Sequence, residues 1–220
     1  IADGDWSSDV CSSDLITVGA TSAIASLWLM PRLTGFRRQE PDLDIRVLAS
    51  DRDFERASDD VDLVIEYARR PLTGDSVRRL FDEEIFPVCS PEYLRGRGAP
   101  AEPAELLNET LLALDDDHPD WMGWNEWLTS AGVEGGPLRR PVRINNYPTL
   151  LQAAVAGQGI ALGWRHLVDD FLAAGSLVQL PGCRVDGRGA FFVSSTRPVP
   201  AESPAARLRE WLVSAARATG

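Results

Sequence analysis

Residues 143–164, RINNYPTLLQAAVAGQGIALGW, constrain the fold more than any other stretch of the chain. A short β-prone run ends in the polar pair Asn145 and Asn146, and Pro148 fixes φ for a first helical turn. Leu150, Leu151, Ala154 and Val155 recur at helical spacing, and Gly157 is placed to cap the helix. Residues 160–162 then form a short apolar strand between glycines. A strand, helix, strand unit of this kind closes as a right-handed parallel crossover. The turn at residues 145–149 therefore falls at the carboxyl end of a strand, where open α/β sheets hold ligands. It is a candidate ligand contact.

The chain before this stretch repeats the pattern. Residues 16–18 alternate into Gly19, and Ala20-Thr21-Ser22 lead into the apolar series Ile24, Leu27, Trp28, Leu33 and Phe36, which predicts strand, turn and helix. Thr21 or Ser22 suits the N-cap, and the free N–H groups of that first turn would form a carboxylate site. Capping alone would also account for both residues. Pro31 lies inside the helical pattern and predicts a kink or a restart. Residues 44–48 read as a second strand with Ile45 and Val47 on one face, 54–58 as a helical turn, and 61–65 as a buried strand ending at Glu66 and Tyr67. In a parallel sheet these ends place Thr21, Ser22, Ser50 and Glu66 at one crevice. A solvated loop is the alternative for Ser50 and Glu66.

Two apolar runs follow, at 77–81 and 84–90, and Pro91 opens a short helix where the chain is expected to change domain. Residues 101–107 predict another short helix and 111–114 a strand. Asp115, Asp116 and Asp117 are consecutive and lack the alternating spacing of metal ligands, so they read as a solvated loop. Trp121, Trp124 and Trp127 recur every three residues, which predicts one helix face shared with Leu128 and packed into the core. A helix at 166–173, a stop at Gly175, strands at 176–180 and 189–195, and a turn-rich crossing at 182–189 complete this part. An amphipathic helix at 204–218 turns Leu208, Leu212 and Ala215 inward.

Composition narrows the function classes. The 220 residues are 44% hydrophobic and 25% charged, enough for one large or two small domains. A formal charge of −11 argues against a nucleic-acid surface, because phosphate binding depends on clustered cations. All 22 basic residues are arginine. Cys11, Cys89 and Cys183 are far apart, odd in number and not at metal-ligand spacing, so free thiols in a reducing compartment are expected. No apolar run approaches the roughly 18–20 residues of a membrane span, and no signal-peptide pattern is present, which reads as cytoplasmic. No cofactor and no metal is expected. His118 and His166 lack a neighbouring Ser or Cys signature, so a surface or capping role is expected for each, and no enzyme.

Residues 1–15, IADGDWSSDVCSSDL, repeat Ser-Ser-Asp at 7–9 and 12–14 and have no periodicity that would help them pack. Residues 5–15 resemble an in-frame translation of a common sequencing-library adapter. The segment is expected to be adapter-derived or disordered and is set aside from the fold.

From Ile16 to about Ala216 the chain resembles the C-terminal effector-binding domain of LysR-type transcriptional regulators. The resemblance rests on ITVGATSAIASLWLMPRLTGFRRQEPDLDIRV, VDLVIEYA, IFPVCSPEYL, TLLQAAVAGQGIALG and LAAGSLV, in that order and spacing. Trp124 and Trp127 followed by Gly132 are similar to the branch of glycine-cleavage activators and β-lactamase regulators. The resemblance implies an α/β, two-lobed fold of the type 2 periplasmic-binding-protein kind, with two crossover strands between lobes. Lobe one would comprise 16–88 plus 186–220, and lobe two 89–185. It also implies that Thr21, Ser22, Ser50, Asn146, Tyr147 and Thr149 face the cleft with Trp164, where they would bind a small polar or anionic metabolite. Tyr147 and Trp164 would serve as apolar walls, and the AAVAGQGIALG portion would be mainly structural. Implied partners are the small-molecule effector and a second copy in a head-to-tail homodimer, with a tetramer in a full-length regulator. DNA would be reached only through an N-terminal winged helix-turn-helix missing from this chain, and no membrane is involved. The alternative on the same fold is a periplasmic solute-binding protein of a transporter.

Overall fold

The computed structural model describes residues 15–51, 61–115, 121–133, 138, 141–182 and 184–218. The expected helical turn at 54–58, Asp116, Asp117, His118, Cys11 and Cys183 lie outside the described residues.

The sheet is built in two parallel halves. Strand β1 (Leu15–Ala20) runs parallel to β2 (Asp44–Ala49) on one side and to β3 (Leu63–Ala68) on the other. It begins one residue inside the segment set aside above, and it is buried from Ile16 onward, as a central strand covered on both faces must be. In the second half β5 (Leu111–Leu114) lies between β6 (Val142–Ile144) and β7 (Ile160–Trp164), parallel to both. The crossover expected at residues 143–164 is therefore present, with α4 (Tyr147–Val155) connecting β6 to β7 and β5 seated between them. Gly157 ends this connection at φ 74, a conformation that L side chains rarely adopt.

Two long antiparallel strands join the halves. β4 (Val77–Cys89) has 13 residues and β9 (Val185–Ser195) has 11; β4 pairs with β7, and β9 with β3. The resulting order is β2-β1-β3-β9-β4-β7-β5-β6, with the two-residue β8 (Val178–Gln179) against β4. The two apolar runs expected at 77–81 and 84–90 are one strand. Its register slips between Arg79 and Phe81 and again between Asp82 and Glu84, and such bulges let a strand continue while re-aiming single side chains. β9 likewise begins within the expected turn-rich crossing.

The helix after β1 is continuous rather than restarted. It widens to π geometry over Ile24–Leu29 and then runs on as α1 (Met30–Gln39). The wide turns lie directly before Pro31, which has no N–H to donate, and Arg32 Nη1 donates to the Trp28 carbonyl at 3.0 Å. Short helices follow at α2 (Pro91–Leu94), over Pro103–Asn108 in tighter 3₁₀ form, and at α3 (Trp124–Ser130). Gly123 is extended at φ −91 and ψ 171, so α3 starts at Trp124 and leaves Trp121 ahead of the helix instead of on its face. Trp124 and Trp127 are buried as expected, their indole N–H groups donating to the Leu112 carbonyl at 2.8 Å and the Ile85 carbonyl at 3.2 Å. α5 (Asp169–Ala173) is shorter than the expected 166–173 because His166 sits at φ 71, outside helical geometry. α6 (Pro204–Arg217) buries Leu208 and Leu212, and Ala216 lies deeper than Ala215. Its Trp211 ring packs on Phe36 of α1 at 5.5 Å.

Candidate functional site

The fold leaves a cavity of about 40 Å³ where the two halves meet. Thr21, Ile24 and Tyr67 line it from the first half, and Trp121, Tyr147 and Trp164 from the second. Glu83 of β4 and Phe191 of β9 close it from the joining strands. Its position at the strand ends follows from the parallel order of each half, which turns the carboxyl ends of β1, β3 and β5 toward the junction.

Trp164 and Tyr147 form one wall. Their rings meet edge to face at 5.2 Å and 89°. The Tyr147 hydroxyl donates to the Leu162 carbonyl and accepts from the Trp164 N–H, each at 3.1 Å. Burial pushes this phenol well above its ordinary range, with the Trp164 N–H working the other way. The hydroxyl thus holds β7 to the start of α4, and the ring is what Tyr147 presents to the cavity.

Glu83 is the centre of the polar network. The residue is 5% exposed, and its carboxylate accepts from Trp164 Nε1 at 2.9 Å, from the Tyr67 hydroxyl at 2.7 Å and from the Arg188 backbone N–H at 3.1 Å. Side chains from both halves and a backbone N–H of β9 therefore converge on one group of β4. Backbone close approach makes this possible: a Cβ at Gly187 would overlap the Glu83 carboxylate, and one at Gly189 would overlap the Tyr67 ring. At one end of the cleft Glu126 of α3 takes Arg69 at 3.2 Å and Arg188 at 3.4 Å, an ion-pair clasp between the halves.

Of the residues expected from sequence, Thr21, Tyr147 and Trp164 line the cavity, whereas Ser22, Ser50, Asn146 and Thr149 are not among its lining residues. Thr21 Oγ1 accepts from the Ile24 N–H at 3.3 Å. The Ser22 N–H donates to the Asp51 carboxylate at 2.8 Å, so part of the anion-attracting helix start already holds the chain's own anion. Ser50 donates its N–H to the Ala20 carbonyl at 3.0 Å. Asn146 caps α4, its Oδ1 accepting from the Thr149 N–H at 3.1 Å and the Thr149 hydroxyl at 2.8 Å. Glu66 accepts from the Ser194 hydroxyl at 3.1 Å and is exposed.

Sequence reasoning missed Glu83, which stands in the acidic run Asp82-Glu83-Glu84 and looks solvated. The signal was alternation: Phe81, Glu83 and Ile85 are buried in turn, while Asp82 is exposed. His166 is buried against Phe81, with ring centroids 4.4 Å apart, and its Nδ1 lies 3.4 Å from Asp169 Oδ2. Burial works to raise the Asp169 carboxyl, but His166 and Arg165 outweigh it and hold it below its ordinary value.

Two parallel α/β halves, a pair of long joining strands and a lined cavity at the junction define a two-lobed ligand-binding domain of the periplasmic-binding-protein type. Residues 12–217 match the family described as LysR substrate binding domain, and the chain belongs to that family as a LysR-type effector-binding domain. It is 32% identical over 205 residues to the glycine cleavage system transcriptional activator of Escherichia coli strain K12, covering 92% of this chain and 65% of that protein. It is 33% identical over 198 residues to the transcriptional regulator TrpI of Pseudomonas aeruginosa, covering 89% of this chain and 65% of that protein. The chain thus spans 65% of the length of these curated relatives. The effector domain of AmpR from Pseudomonas aeruginosa superposes with a TM-score of 0.73 at 26% identity, covering 93% of this chain and 96% of that one. Among the described residues no helix is long and apolar enough to cross a membrane.

Proposed function

We propose that this domain senses a small polar or anionic metabolite in the cavity between its lobes, lobe one being 16–88 plus 186–220 and lobe two 89–185. The observation that carries the reading is that one cavity is lined by side chains from both lobes and from the two strands that join them. A ligand there touches both sides of the hinge and biases the angle between them, with couplings of roughly 1–3 kcal/mol typical of such switches. Trp164 and Tyr147 supply the apolar wall, Thr21 and Glu83 the polar contacts. Ser22, Ser50, Asn146 and Thr149 frame the strand ends around it. The domain serves as the regulatory part of a longer cytoplasmic transcription regulator rather than as an enzyme. It pairs head to tail with a second copy, and DNA is reached through a separate winged helix-turn-helix domain.

A thermal-shift screen of amino acids and small carboxylates, followed by calorimetry on the best compound, tests the reading. Thr21→Ala with Ser22→Ala is expected to weaken that affinity while leaving a cooperative melt. Unchanged affinity would remove the start of this helix from the site. Light scattering at high micromolar concentration is expected to show the dimer, and monomer alone would count against the pairing.

A further inference from the structure

We propose that Glu83 is the specificity determinant of the cavity and selects an effector bearing a protonated amine. The proposal rests on the reading that this cavity is the effector site, and it narrows the ligand class. Three adjacent carboxylates of β4 have different fates. Asp82 pairs with Arg79, and Glu84 pairs with Arg165 at 2.8 Å and Arg184 at 3.1 Å. Glu83, the most buried of the three, meets no guanidinium within ion-pair distance among the described residues; its partners are an indole N–H, a phenol and a backbone N–H, all neutral. Arg188 gives Glu83 only its backbone N–H, and its guanidinium pairs with Glu126 instead.

A buried carboxylate without a counter-charge is costly, and folded chains keep such groups where a cation is supplied. A carboxylate offers about four acceptor directions, and three are filled here. Glu83 lines the cavity, so the fourth is assigned to a ligand there; the remaining walls are almost wholly apolar apart from Thr21 and the occupied Tyr67 and Tyr147 hydroxyls. A primary ammonium fits this setting, because it brings the missing charge and a donor while its carbon chain lies against Trp164, Ile24 and Phe191. A carboxylate group in the same place would face an uncompensated like charge. The helix start offers it little relief, since the Ser22 N–H already holds Asp51.

The experiment is an NMR titration of the domain with n-propylammonium chloride, 1-propanol and sodium propionate at constant ionic strength. It follows the Trp164 indole N–H signal, assigned by its loss in Trp164→Phe. Propylammonium is expected to move this signal saturably, and the alcohol and the carboxylate to leave it in place. Glu83→Gln is expected to weaken the ammonium response about tenfold or more, the range of a hydrogen bond to a charged group. A carboxylate response equal to or above the ammonium response overturns the proposal and leaves the cavity reading standing. A Trp164 signal and cavity neighbours unmoved by all three probes overturns both. If Glu83→Gln does not fold, judged by circular dichroism, the comparison of the three probes on the unaltered chain decides alone.

Discussion

Tyr147 shows how a single buried hydroxyl can look like a ligand contact and serve the backbone instead. Tyr147→Phe keeps the ring against Trp164 but leaves the Leu162 carbonyl and the Trp164 N–H without their shared partner. The expected loss is about 1–3 kcal/mol in chemical denaturation, and a loss under about 0.5 kcal/mol would contradict this role. Cys89 gives a pH signature. Burial first, and Glu109 second, push its thiol up from 9.0 to about 11. The native state therefore keeps the proton while the unfolded chain ionises, so the contribution is intact below about pH 9 and is lost as the pH rises toward 11. The stability of the unaltered protein relative to Cys89→Ala should fall across that window, and a constant difference would refute it. At this scale the sequence was least legible. Tyr147 and Trp164 were visible from the head and tail of one crossover. Glu83 was hidden inside the acidic run Asp82-Glu83-Glu84, although it alternates with the buried Phe81 and Ile85.

Elements were read more reliably than their ends. The strand, helix, strand stretch at 143–164 stands as expected, since Pro148, the 3.6-residue apolar spacing and Gly157 all favour the same structure. The exceptions share a cause, namely backbone geometry set by tertiary contacts. Trp121 keeps helical spacing but precedes the helix because Gly123 is extended, and His166 takes a positive φ while stacked on Phe81. β9 was read only from residue 189 onward, and its first part was taken for a turn because of Gly187 and Gly189, whose role is to admit Glu83 and Tyr67. Gly187→Ala is therefore expected to cost about 1–3 kcal/mol, the usual range for overpacking. The same change should cost less in a Glu83→Ala background, where its collision partner is absent. Equal costs in thermal or denaturant melts would show that the two residues do not meet.

At the scale of the molecule, the repeated parallel unit and the change of domain near Pro91 were legible in the residues, whereas the two-lobed plan with two crossover strands came from the family resemblance, because β4 and β9 carry charged residues and glycines that break them into shorter runs. The contacts that hold the lobes together were not legible, since Arg69, Glu126 and Arg188 come from distant parts of the chain. These groups are partly exposed, at 28% and 29% for Arg69 and Glu126. A double-mutant cycle on that pair should give a coupling of roughly 0.2–1 kcal/mol that fades in molar salt. A large, salt-insensitive coupling would instead mark a rigid structural joint. The central claim is that the cavity between the lobes holds the effector. Its most direct test is a crystal structure of the domain with the compound that gives the largest thermal shift. The ligand is predicted to lie between the lobes, touching Thr21 on one side and Trp164 on the other; a ligand seated on any other surface, with the cavity unchanged, would contradict the claim.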